Sequence, residues 1–311
     1  MRFIILTLLI VALCAPLAHA RQTEHRVFGD ARVVTYNFSW IGHDRKPYTV
    51  NFRLPRNLVD VSQNDFKPFD NKAAGEYVRA VMNSYNDKRN QSGKEIQVAE
   101  IDGKVQFSST KMDKATFDRE ISTMQALRKK AMDTYIEANL YTKVSDTSIM
   151  PDHKRIAHMY IPRMRYAAEA LVRASPSRDP RDVINTVLSF LQTIPYDILE
   201  DRTTSNGAGY VTPINLLTNN RGDCDSKAVA MAAILRNLYP RLRIVMVYIP
   251  GHAFIGLNMP PQADDVALQI GNVRFVLAEP VGPSLMPVGK IAPDSYADLK
   301  KHQFSYQEVP F

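Results

Sequence analysis

Residues 243–279 hold four short apolar runs, RIVMVYI, HAFIGLN, VALQI and VRFVLAE. Two of the gaps between them are two-residue turns, Pro250-Gly251 and Gly271-Asn272. So short a connection joins only antiparallel neighbours, because a parallel crossover needs a dozen or more residues. The C-terminal third is therefore predicted to be an antiparallel sheet. The stretch before it, CDSKAVAMAAILRNL, is rich in helix formers, with apolar positions at Val229, Ala232, Ala233 and Leu235. It reads as a helix packed on that sheet.

Upstream, "ARVVTYNFSWIGHDRKPYTVNFRLP" reads as two β-rich runs around a turn at Gly42-His43, and "EIQVAEIDGKVQFSS" as a hairpin turning at Asp102-Gly103. Phe117, Ile121, Met124, Leu127, Met132, Tyr135 and Ile136 recur at helical spacing and predict one helix over residues 113–142. The polar, proline-marked stretch KVSDTSIMPDH suggests a boundary near 150. Helices are expected over 163–174 and 180–194, the second with Asp179 as cap and Pro180 in its first position. The expected division is a leader at 1–20, an N-terminal strand and helix domain at 21–150, and a second domain at 151–311.

The leader is MRFIILTLLIVALCAPLAHA: one arginine, an apolar run and an Ala-His-Ala end. It reads as an export signal cleaved after Ala20, which predicts a periplasmic or secreted protein. Its apolar run is shorter than the ~20 residues a membrane span requires, so no stable membrane insertion is expected after cleavage. The formal charge of +7 is spread among acids with no long basic block, which argues against nucleic acid as a partner.

Export makes the cysteine count informative. Of the two cysteines, Cys14 lies in the leader, so Cys224 is left without an intramolecular partner. A lone thiol in an oxidising compartment is either a small buried hydrophobe or a reactive group. Gly222-Asp223 supplies a turn and a cap before it, which puts Cys224 in the first helical turn, where the helix dipole favours a thiolate. Asp223 and Asp225 oppose that effect, so a base is needed. His252, at the start of a strand next to the helix, is the best placed. Glu279, at the end of VRFVLAE, is the best orienting acid, ahead of Asp264 and Asp265, which sit in a turn and are expected to be solvated. His153 and His158 show no ligand spacing, and no metal or cofactor is expected. A redox role is disfavoured by the absence of C-x-x-C.

The combination "TPINLLTNNRGDCDSKAVAMAAILRNL", "HAFIGL" and "FVLAEPVGPSLMPVG" resembles the transglutaminase-like superfamily, and within it the bacterial exported cysteine-peptidase-like members, over residues 180–290. That resemblance implies a papain-like α+β core, to which the N-terminal half, with no resemblance of its own, is expected to add an α/β extension. It also implies Cys224 as nucleophile, His252 as general base and acid, and Glu279, where many relatives carry Asp, as orienter. The implied activity is hydrolysis or acyl transfer at peptide or isopeptide amides through a thioester, on a protein or peptide substrate. Tyr210, Asn219 and Asn220 are candidates for the oxyanion site, and the loops 203–209 and 283–289 for cleft walls. The competing expectation is a binding or scaffold module of the same architecture without turnover.

Overall fold

Alternation dictates how the first sheet packs. Strands β1 (Arg21–Gly29), β2 (Val33–Ile41) and β3 (Pro47–Pro55) form a three-stranded antiparallel sheet. Val34, Tyr36, Phe38 and Trp40 of β2, with Val50, Phe52 and Leu54 of β3, all point to one buried face. The computed structural model describes residues 20–311 apart from 94, 102, 103, 202–206 and 208. Residues 1–19 of the expected leader, with Cys14, the expected turn at Asp102-Gly103 and most of the 203–209 loop therefore lie outside the described residues.

The chain continues through α1 (Arg56–Asn64), α2 (Asn71–Gln91), a hairpin of β4 (Gln97–Ile101) and β5 (Lys104–Ser108), and α3 (Lys114–Ala138). Helix α3 ends short of the expected residue 142. Asn139 caps it, and Leu140 adopts a φ of 62°, left-handed backbone that a helix cannot continue through. A second short hairpin, β6 (Tyr141–Lys143) with β7 (Ile149–Pro151), follows. The expected boundary near 150 thus falls inside a hydrogen-bonded hairpin, and the apolar core runs across it. Phe38 and Trp40 lie 5.0 and 5.2 Å, ring to ring, from Phe190, and the Trp40 indole N–H donates to Ser189 Oγ at 3.0 Å.

Next come α4 (His153–Tyr160), a 3₁₀ turn at Pro162–Met164, α5 (Arg165–Ala174), α6 (Pro180–Thr193) and α7 (Pro213–Asn219). Asp179 caps α6 as its position before Pro180 predicts. Helix α8 (Cys224–Leu238) is buried on every side, including Ser226, Lys227 and Arg236. It lies on a five-stranded antiparallel sheet formed by β8 (Ile244–Ile249), β9 (His252–Leu257), β10 (Ala267–Ile270), β11 (Val273–Ala278) and, after α9 (Pro293–Lys300), β12 (Ser305–Glu308). The strand order is β10-β11-β9-β8-β12. Ile244, Met246, Ile255, Leu257, Val276 and Ala278 belong to the core shared with α8. Val245, Val247, Ile249, Phe254, Phe275 and Leu277 form a second core on the other face, against Leu299 of α9. The architecture is mixed α+β. Among the described residues no helix is long and apolar enough to cross a membrane.

Candidate active site

The β8–β9 turn fixes the start of β9. Gly251 sits at φ +70°, where a side chain would be strained, and Ile249 pairs with His252 across the turn. This puts His252 at the sheet's end, beside the N-terminus of α8. That N-terminus is set by Asp223, whose Oδ1 accepts the Ser226 N–H at 2.9 Å. Cys224 follows as the first helical residue. Cys224 and His252 line one cleft of about 380 Å³, together with Asp223, Asp225, Tyr196 and Tyr248.

Glu279 follows the last residue of β11 and is 4% exposed. His252 Nε2 lies 2.6 Å from its Oε1. The same carboxyl accepts the Ala292 N–H at 2.7 Å and the Ser295 hydroxyl at 3.2 Å. Three donors converging on one carboxyl suit the carboxylate, which accepts only. Nε2–H then donates, and Nδ1 is the nitrogen left with a lone pair. The backbone of Glu279 is held as well, its carbonyl accepting from Gln192 Nε2 at 2.9 Å. Gln192 in turn meets His43 Nε2 at 3.0 Å, so the loop after β2 reaches the rear of the site.

The thiol's surroundings favour the proton on sulfur. Burial, then Asp225, then Asp223 push the Cys224 thiol up to about 12, against the Ala253 and Asp225 backbone N–H groups that favour the thiolate. Its Sγ lies 3.9 Å from Asp225 Oδ1. The lowering expected from the helix terminus is thus outweighed by burial and the two flanking acids. Asp223 itself is pushed up to about 7 by burial and by the charge of Asp225. Asp223, Cys224 and Asp225 each offer a ligand atom within 4.8 Å of the others, and among the described residues this is where a metal ion could be held.

Two further residues, to which the sequence gives no role, lie at the site. His153 opens α4 and is fully buried, its Nε2 3.5 Å from Asp225 Oδ2 and its Nδ1 3.1 Å from the Tyr248 hydroxyl. Burial lowers its basicity, while Asp225 and Asp152 act the other way. It therefore backs the wall beside the thiol. Lys227, one turn along α8 from Cys224, is also fully buried and donates to the Ile194 carbonyl at 2.5 Å. Burial lowers it to about 8, with Asp223 and Cys224 opposing. No pattern in the sequence separates these two from ordinary helix residues; only the fold brings them in.

The three oxyanion candidates lie elsewhere. Tyr210 is fully buried, its ring 5.0 Å from Phe66 and 5.2 Å from His153, behind the cleft wall. Asn219 is exposed, and Asn220, at φ 51°, exchanges side-chain hydrogen bonds with Gln22 of β1 at 2.9 and 2.6 Å. None of the three lines the cleft. Asn220 ends α7 in left-handed backbone, and its side chain is taken up by β1 rather than by the cleft. Of the expected walls, Gly209 lines the cleft while the 283–289 loop does not. The Asp265 side chain, expected in solvent, is 2% exposed and bound by Arg181 at 2.7 Å, whereas Asp264 is exposed. The chain matches no protein-family model, no curated protein and no solved structure.

Proposed function

We propose that this protein is an exported thiol enzyme of transglutaminase-like, papain-like architecture that acts on peptide or isopeptide amides. The observation that carries the reading is the 2.6 Å contact of Glu279 with His252, which lines the same cleft as Cys224. A nucleophile, a base and a group fixing the base's tautomer are what covalent acyl transfer requires.

In the proposed reaction the Cys224 sulfur attacks the amide carbonyl while its proton passes to His252 Nδ1. A C–S bond forms, the C–N bond breaks, and His252 returns the proton to the leaving amine. Water then attacks the thioester, His252 takes its proton, and the acid leaves as the thiol is restored. Glu279 stabilises the imidazolium formed in each half. Burial and the flanking acids favour the protonated thiol, so His252 must take that proton for the sulfur to attack. The Cys224 backbone N–H, at the helix terminus, is the natural first donor to the oxyanion.

One observation favours a second reading, a binding module without turnover: the upward push on the Cys224 thiol to about 12. A chromogenic ester separates the two. Treatment with a p-nitrophenyl ester should leave an acyl group on Cys224, found by mass spectrometry, with release of p-nitrophenolate. The adduct should be missing in His252→Ala. No adduct on Cys224 in the unaltered protein, with any of several acyl chains, would favour the binding module.

A further inference from the structure

On the sheet face away from α8, a groove of about 860 Å³ runs between β10–β11 and α9. Its size falls in the range of small-molecule sites, roughly 300–1,000 Å³. Val266, Leu268, Ile291, Leu299 and Phe304 give it an apolar floor laid on the second core. Its charge is one-sided. Both acids on its wall are already matched within the protein, Asp265 by Arg181 at 2.7 Å and Asp264 by Lys290 at 2.6 Å. Arg274 and Lys300 also line the groove and are exposed. Among the described residues no carboxylate forms an ion pair with either; Lys300 rests over the Tyr296 ring at 5.3 Å.

We propose that this groove binds a single-chain anionic amphiphile. The alkyl chain would cover the apolar floor, which is otherwise left to water. The head group would meet the unmatched Arg274 and Lys300, where a neutral or cationic head gains nothing. The position also gives the ligand a route to the cleft. Helix α9 forms one wall of the groove, and its start holds Glu279 through the Ala292 N–H and the Ser295 hydroxyl. An occupant that shifts α9 shifts the carboxylate that orients His252. This regulatory part rests on the thiol-enzyme reading; the binding site itself does not.

Calorimetric titration of the purified protein with dodecanoate, kept below its micelle concentration, tests the site. One saturable site is expected, with octanoate weaker than dodecanoate. Dodecyltrimethylammonium should bind at least about tenfold more weakly, and the Arg274→Glu/Lys300→Glu double variant should lose dodecanoate affinity by a similar factor. Equal affinity for the two head groups, or an unaltered double variant, would overturn the proposal. So would a groove covered by a second copy, seen as a dimer that Leu268→Glu separates and that takes up no dodecanoate. For the link through α9, saturating dodecanoate should change the rate of Cys224 alkylation by about twofold or more. Binding with no change in that rate would remove the link. Alkylation indifferent to His252→Ala in ligand-free protein would instead count against the thiol reading and leave the groove standing.

Discussion

The two main sheets share a core yet present opposite things to it. The β1–β3 sheet buries one face, and its aromatic residues satisfy their polar ends inside: Trp40 on Ser189, Tyr36 on Thr218 at 2.8 Å. It contributes packing. The three central strands of the five-stranded sheet, β8, β9 and β11, are covered by apolar side chains on both faces, so they leave little room for polar groups. Its titratable residues are displaced to strand ends, and His252 and Glu279 sit at two neighbouring ones. Strands buried on both faces thus keep His252 and Glu279 at the sheet's rim, next to the terminus of the helix that covers it.

The sharpest way to break that contrast is at the thiol. Cys224→Ser should lower turnover by at least about a thousandfold, since a hydroxyl is a poor nucleophile here, while leaving the thermal midpoint nearly unchanged. Turnover retained in this variant would end the thiol mechanism. The counterpart in the other sheet is Trp40→Ala, expected to cost about 3–5 kcal/mol in denaturant unfolding with little change in Cys224 alkylation of the folded protein. A large change in alkylation would show that the first sheet takes part in the site directly. Between the two rim residues, His252→Ala should lower turnover more than Glu279→Gln, because the second misorients the base without removing it. A Gln variant faster than the parent would contradict the assigned role.

The smallest effect concerns Asp223. Its pKa is raised to about 7 from 3.8, so the fold favours the protonated acid. Its contribution is fully present below about pH 4 and is lost as pH rises through about 7. Asn caps a helix as well as Asp does and does not titrate. Asp223→Asn should therefore lose less stability than the parent between pH 4 and 7, by roughly 1–3 kcal/mol. Parallel stability profiles would mean that Asp223 is ionised in the fold without cost.

What was legible in the sequence was local. The turns at Pro250-Gly251 and Gly271-Asn272, the caps at Asp179 and Asp223, and the apolar runs between them mark β8 to β11 and α8 within a residue or two. The ordering of Cys224, His252 and Glu279 along those elements is enough to bring His252 and Glu279 together. What was hidden depends on distant packing. Asp265 reads as a turn residue, and only the fold brings Arg181 to it. His153 reads as linker, but the β6–β7 hairpin carries α4 onto α8 and buries it beside Asp225. Lys227 gives no signal of its own, because nothing in its neighbours shows that α8 is buried all round. The end of α3 turned on one residue, Leu140, whose left-handed backbone no propensity scale anticipates.

Whether Cys224 and His252 act as a pair is read from the pH dependence of iodoacetamide alkylation at Cys224. Burial and the acids alone would hold the thiol near 12, with almost no reaction at neutral pH. A working pair should instead alkylate below the ordinary thiol range of ~8.5, and His252→Ala should slow the reaction at pH 7 by at least about tenfold. Identical profiles in the two proteins, rising only in strong alkali, would contradict the pairing and leave a buried cysteine in a binding module.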